Sequence, residues 1–277
     1  MSDDAVLVDD PAPRVRRITI NRPEKRNALN YAVMGGLLDA LRAGDADDDV
    51  SVQIIRGAGS CFSAGYDLGG GNKGLEPPSY VPGGDGQWPR RVTEQWMSIW
   101  DLAKPVIAQV HGYCLAGGSE LATGCDLVYV AEDAQIGYPA VRFGVPDMQY
   151  WPFVIGMRAA MEMVLTGDAF TGTEAVELGW ANRAYPADEL DAEVLRIAER
   201  IAKIPTDIGQ INKRTVHRAM ESMGLRTAIR NGTELCALGT KQETLLKFVT
   251  EMRAGLTDAL QERDKEFGDY RTAEHTD

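Results

Sequence analysis

Histidine is scarce in this 277-residue chain: it has three, His111, His217 and His275. None sits in a hydrolase pattern. His111 with Ser119 is the one pairing within reach, and Gly117-Gly118-Ser119-Glu120-Leu121 lacks the final glycine of a nucleophile elbow. Cysteine is sparse too. Cys61, Cys114, Cys125 and Cys236 show neither CxxC nor metal-ligand spacing, so no metal site is expected. They read as reduced thiols, which places the protein in the cytoplasm. Basic residues are outnumbered, 29 Lys and Arg against 41 Asp and Glu, for a net charge of −12. No Lys/Arg cluster offsets that balance, which argues against nucleic acid as a partner. No window reaches the roughly eighteen uninterrupted apolar residues of a membrane span. Met1-Ser2-Asp3-Asp4 carries no apolar signal core. A phosphate-binding P-loop is missing as well, since Gly65 to Gly70 runs on into Gly71 rather than a lysine.

Two stretches of bare backbone stand out. Val106-Ile107-Ala108-Gln109-Val110 reads as a strand and leads into His111-Gly112-Tyr113-Cys114-Leu115-Ala116-Gly117-Gly118-Ser119-Glu120, after which Leu121-Ala122-Thr123 begins a helical pattern. Glycines at a strand-to-helix turn let a ligand approach backbone N–H groups, and the helix N-terminus adds partial positive charge. Such a turn can hold an oxyanion, and Glu120 is close enough to exchange a proton with whatever is held. The second stretch, Gly57 to Leu68, follows the apolar run Val50 to Ile55 and ends in Ala64-Gly65-Tyr66-Asp67-Leu68. One such turn is as readily an ordinary connection. Two of them, each after a β-rich segment, suggest two backbone donors converging on one atom.

The chain is long enough for one large domain. Residues 1–13 are acidic and proline-bearing, and read as a flexible tail. Val15 to Ile20 reads as a strand, and Tyr31 to Arg42 as a helix with Asn30 as its N-cap. Residues 69–89 are rich in Gly and Pro and read either as a mobile cover over the site or as a disordered insert; the cover is preferred, because the segment directly follows the first glycine turn. Arg91 to Leu102 reads as a helix whose Trp96 and Trp100 pack in the core. Alternating strands and helices imply an α/β sheet with crossover connections. From Asp188 the pattern turns helical, over 189–202, 206–220, 225–238 and 241–266.

With these turns the chain resembles the enoyl-CoA hydratase/isomerase (crotonase) superfamily. The resemblance also rests on Ile20-Asn21-Arg22-Pro23-Glu24-Lys25-Arg26-Asn27-Ala28-Leu29-Asn30, Lys104-Pro105-Val106, Cys125-Asp126-Leu127, Leu165-Thr166-Gly167 and Ala175 to Asn182, and spans roughly residues 14 to 265 in order. It implies a crotonase fold, a spiral of strand-strand-helix turns over 14–187 followed by a C-terminal helical region, 188–277, that supports a homotrimer or a hexamer built as a dimer of trimers. The implied substrate is an acyl-CoA thioester. Coenzyme A arrives as part of it, and no separate cofactor is expected.

The resemblance assigns the oxyanion hole to the backbone N–H groups of Tyr66 and Gly117, aimed at a thioester oxygen that gains charge as an enolate forms. Glu120 matches the first of the two catalytic glutamates of the hydratases. The second is expected after Pro139, where this chain has Ala140, which cannot accept a proton or orient water. Asp147 is the available substitute, and it reads either as the missing acid-base group or as a helix N-cap or loop aspartate. Hydration is the leading reading. Isomerisation, with Glu120 and Asp147 shuttling one proton between two carbons, stays open. So does a protein that binds acyl-CoA without chemistry. The resemblance places the coenzyme's nucleotide and pantetheine near Arg22, Lys25 and Arg26, with backbone from Ala64. Tyr66 and Tyr150-Trp151-Pro152 suggest an aromatic-lined acyl pocket.

Overall fold

The apolar runs of the first half become the centre of a six-stranded sheet in the computed structural model, which describes residues 4–268. The sheet order is β1 (Val6–Ala12), β2 (Val15–Ile20), β3 (Val52–Gly57), β4 (Val106–Val110), β6 (Leu127–Ala131) and β9 (Arg183–Tyr185). Only the β1–β2 pair is antiparallel. Parallel strands are buried on both faces, and β4 is buried at every residue. A smaller sheet joins β5 (Tyr113–Leu115), β7 (Gln135–Gly137) and β8 (Phe170–Thr171). The chain thus visits the large sheet at β4, the small one at β5, a helix at α3 (Gly117–Gly124), and then repeats through β6 and β7. This is a strand-strand-helix spiral.

Helices cover the sheet and close the ends. Helix α1 (Tyr31–Ala46) buries Val33, Met34, Leu37, Leu38 and Leu41, the helical spacing that puts one face on β1 and β2. Helix α2 (Gln87–Met97) packs on α3 and later on α9. A short 3-10 turn, Pro139–Arg142, leads to α4 (Trp151–Val154), α5 (Gly156–Thr166) and α6 (Gly172–Glu177). Helix α7 (Leu190–Ile201) lies across β3, β4 and β6, and α8 (Thr206–Ser222), α9 (Leu225–Gly239), α10 (Glu243–Ala254) and α11 (Leu256–Lys265) complete the helical end. Helix α8 is pinned to the sheet by Asp126. One of its carboxylate oxygens accepts from Val106 N–H at 2.7 Å and from Lys213 Nζ at 2.9 Å, while the other meets His217 Nε2 at 3.0 Å.

Three expectations need correction. Residues 1–13 are not a loose tail throughout, since Val6–Ala12 pairs with β2; the alternating Val6-Leu7-Val8 segment finds ladder partners despite its acidic neighbours, and Arg16 and Arg17 hold Asp10 and Asp9 at 3.0 and 2.6 Å. Residues 1–3, and those of the 188–277 region beyond 268, lie outside the described residues. The helix expected over 91–102 begins at Gln87 and ends at Met97 in a 3-10 turn, and that expected over 241–266 is broken at Gly255 into α10 and α11.

Asn30 caps α1 as expected, its side-chain oxygen accepting from Val33 N–H at 3.0 Å. Its amide also donates to Gly71 O at 3.2 Å, so the cap ties the helix to the Gly/Pro-rich segment. Asn30→Ala should destabilise the fold by about 1 to 2 kcal/mol in chemical denaturation; an unchanged midpoint would show that the cap is dispensable.

Candidate active site

The two glycine turns meet. Ser63 N–H donates to Tyr113 O, and Leu115 N–H donates to Ser63 O, both at 3.0 Å, which lays one turn alongside the other. Gly65 has φ +107°, and a Cβ there would stand 3.0 Å from Leu115 O and 3.4 Å from Gly117 N, so only glycine lets the backbones approach. Beyond it, Leu29 exchanges bonds with Gly65 O and Asp67 N, which leaves the Tyr66 N–H directed away from Leu29. Gly117 is the first residue of α3, so its N–H lies outside the helix ladder. The turn into α3 is made by Ala116 at φ +46°, a strained conformation for a residue with a Cβ.

Glu120 is fully buried on the first turn of α3. Its Oε1 accepts from Met148 N–H at 2.8 Å and its Oε2 from the Tyr66 hydroxyl at 2.6 Å. Tyr66 O in turn accepts from Trp96 Nε1 at 3.0 Å. Asp147 approaches from the loop after the 3-10 turn. Its Oδ2 accepts from Trp88 Nε1 at 3.2 Å, and its Oδ1 lies 3.5 Å from the Cys236 thiol. It is not a helix cap: α4 starts at Trp151, and no side chain caps it. The Tyr138 hydroxyl accepts from Asp147 N–H at 3.2 Å and favours the ionised form of both carboxyls.

Burial is the main influence on both acids. It lifts the Glu120 carboxyl well above its ordinary 4.5, and the Asp147 charge lifts it further; the Tyr66, Met148 and Tyr138 donors oppose that rise. Burial also raises Asp147 from 3.8 to about 6, against the pull of its Trp88, Cys236 and Tyr138 partners. The two titrate as a pair, each lifted above the ordinary range of its type. Two acids lifted in this way suit proton transfer, one accepting while its neighbour donates.

The chain also matches known proteins in sequence and fold. The family description Enoyl-CoA hydratase/isomerase fits residues 12–263. The chain belongs to that family. It is similar to an enoyl-CoA hydratase/isomerase from Xanthobacter autotrophicus Py2, with a TM-score of 0.86 at 35% identity, covering 95% of this chain and 98% of that one. It is similar to an enoyl-CoA hydratase from Mycobacterium smegmatis, with a TM-score of 0.87 at 32% identity, covering 96% and 95%. It is 30% identical to the 2,3-dehydroadipyl-CoA hydratase of Escherichia coli over 94% of this chain and 98% of that protein. The spiral described above is therefore the crotonase fold.

Within this family member the four central residues expected from the sequence, Tyr66, Gly117, Glu120 and Asp147, come together. Ala140 sits in the 3-10 turn and brings no polar side chain. On the other side of the first glycine turn, Lys25 and Arg26 are exposed, with Arg26 in the left-handed region at φ +49°. Arg22 is not a free cation there, because Asp67 holds it at 2.9 Å. Ala64 N–H donates to Arg26 O at 3.0 Å, so a backbone contact from Ala64 to substrate would use its carbonyl. Tyr150 donates to the Glu120 carbonyl at 2.6 Å, while Trp151 stacks on Trp180 and, with Pro152, lines an apolar cavity of about 410 Å³. The aromatic partners of the two acids are Tyr66, Trp88 and Tyr138, with Trp96 behind Tyr66. Trp88 ends the Gly/Pro-rich segment and meets Tyr66 edge-on, with ring centroids 5.0 Å apart.

Sequence reasoning missed the Tyr66 hydroxyl, Tyr138, Trp88 and Cys236. Tyr138 had a signal, since it stands two residues before the vacated position 140. Cys236 had none.

Raising an acid's folded pKa costs stability at every pH where the unfolded chain would ionise. For Asp147 that cost is absent below its unfolded value of 3.8, grows through the interval up to about 6, and is complete above it. Asp147→Asn should therefore raise stability at pH 8 by on the order of 2 kcal/mol, with no gain near pH 3.5. Thermal melts at the two pH values check this. An equal or lower melting temperature at pH 8 would contradict it.

Proposed function

We propose that this protein hydrates the C2–C3 double bond of an enoyl-CoA thioester, with Asp147 as base and Glu120 as acid. The observation that carries the reading is the pairing of the fully buried Glu120 carboxyl with the partly buried Asp147 carboxyl, both lifted above their ordinary range, beside the turns that carry the Tyr66 and Gly117 N–H groups. The thioester oxygen is held by those two N–H groups. Asp147 takes a proton from water as its oxygen bonds to C3, and the π electrons move to the thioester oxygen. The enolate then collapses and takes the Glu120 proton at C2, giving the 3-hydroxyacyl thioester. Asp147 is left protonated and Glu120 ionised. Passage of the Asp147 proton back to Glu120 through solvent restores the starting state. None of these steps needs a metal or redox cofactor.

The same pair of raised acids also suits one other reading, isomerisation of an enoyl- or dienoyl-CoA. One carboxylate would remove a proton and the other would return one at a different carbon.

Around the site, Lys25 and Arg26 are assigned to the coenzyme phosphates, because this acidic protein must recruit anions locally. Residues 69–89 are assigned to a cover, supported by Trp88 reaching Asp147 from its far end. A homotrimer, or a hexamer of two trimers, is supported by Met157, Met161 and Leu165, exposed on one face of α5 beside an apolar cavity of about 410 Å³. A cytoplasmic setting is supported by four buried free thiols.

Crotonyl-CoA turnover, followed by loss of enoyl-thioester absorbance, should be clear in the native protein. It should fall by about 10²-fold or more in both Glu120→Gln and Asp147→Asn. No hydration by the native protein would reject the reading. Loss in Glu120→Gln alone would remove Asp147 from the mechanism. Lys25→Ala with Arg26→Ala should raise KM severalfold and leave kcat alone; an unchanged KM would place the phosphates elsewhere.

A further inference from the structure

Residue 66 presents more than a backbone donor. Its ring lies flat against Gly117, where a Cβ would fall 2.5 Å from Tyr66 Cε2 and Cζ, so the ring occupies a slot that only glycine leaves open. Trp88 closes the slot edge-on, at 85° to the ring. In this pose the phenol oxygen accepts from Trp96 Nε1, and its proton is directed to Glu120 Oε2. The Trp96 indole is itself fully buried on α2, so the chain of donors begins on a rigid element. Glu120 Oε1 is fixed by Met148 N–H, which makes the Tyr66 hydroxyl the second of two anchors that stop the carboxyl from turning.

We propose that Tyr66 is a positioning residue for Glu120. Its hydroxyl, aimed by Trp96, locks the carboxyl at a fixed place relative to the oxyanion donor that the same residue's backbone supplies. This inference rests on the hydratase reading for its kinetic consequence, but the contact itself does not. The acid that protonates C2 and the N–H that holds the enolate oxygen must keep their separation within a fraction of an ångström. Here one residue carries both ends of that separation. Ordinary packing would need only the ring.

Tyr66→Phe separates the two roles, since it keeps the backbone N–H and the ring in the Gly117 slot and deletes only the hydroxyl. The groups that face the Glu120 carboxyl are Tyr66, Asp147, Tyr138 and, through charge, Cys236, with Tyr150 on its backbone carbonyl. Of these only Tyr66 changes. The hydroxyl stabilises the ionised form of Glu120, so its loss must move the Glu120 titration to higher pH.

The experiment measures kcat, KM and their pH profiles with crotonyl-CoA for native protein, Tyr66→Phe and Trp96→Phe, alongside carbon-13 NMR titration of the Glu120 carboxyl, assigned with Glu120→Gln. Tyr66→Phe should lower kcat by about 10- to 100-fold with KM within about twofold, and shift the falling limb upward. Trp96→Phe should give a smaller loss with the same direction of shift. An unchanged kcat and an unmoved Glu120 titration in folded Tyr66→Phe would overturn the proposal. If the native protein does not hydrate crotonyl-CoA, the hydratase reading has failed on its own, and the NMR titration alone decides the role of Tyr66. Should Tyr66→Phe not fold, Trp96→Phe carries the same test, and an unmoved titration there overturns the proposal.

Discussion

A fully buried Glu120 carboxyl faced by the partly buried Asp147 carboxyl carries a desolvation cost, and the rest of the site is arranged around that cost. Water cannot solvate Glu120, and Asp147 faces it with a like charge. The protein leaves both groups in place and gives them polar partners from widely separated segments. Met148 N–H and the Tyr66 hydroxyl hold one acid; the Trp88 indole and the Cys236 thiol hold the other. The outcome is a pair of acids both lifted above their ordinary range, the condition under which neighbouring carboxyls can play opposite parts.

The spiral explains how residues so far apart in sequence reach one point. Each turn of the chain passes from the large sheet to the small one and then into a helix. Successive turns therefore stack their connections at one edge. The turns after β3 and β5 lie side by side through the Ser63 and Leu115 bonds, and α3 starts where they meet. Helix α2 packs between α3 and α9 and carries Trp88 at its start and Trp96 near its end. One helix thus buttresses both acids, Asp147 directly and Glu120 through Tyr66. The C-terminal helices matter to the site as well, since α9 contributes Cys236 and α8 is anchored to the sheet by Asp126.

Much of this was legible in the sequence. The strands Val15–Ile20 and Val106–Val110, the Asn30 cap and the two glycine turns follow from periodicity and turn chemistry, which are local. Glu120 and the two glycine turns were legible because a strand-to-helix turn of bare backbone beside a carboxylate has few structural uses, whereas Tyr66, Gly117 and Asp147 were singled out through the family resemblance. Partners fixed by tertiary packing were not legible. Trp96 reads as a core residue, and it is buried as one; only the fold shows its N–H spent on a phenol. Cys236 is one of four cysteines without pattern, and nothing local marks it as the neighbour of Asp147. The β1 strand was missed because an acidic, proline-bearing stretch looks like a tail until β2 supplies its ladder and Arg16 and Arg17 its counter-charges.

The central claim is that burial, together with the Asp147 charge at Glu120, lifts both acids of the site above their ordinary range. Carbon-13 NMR of protein labelled at the Asp and Glu carboxyl carbons, with Asp147→Asn and Glu120→Gln for assignment, reads that directly in the absence of substrate. The account predicts an Asp147 signal that titrates at about 6 and a Glu120 signal that titrates above the ordinary glutamate range. Ordinary carboxylate titrations at both positions would contradict it.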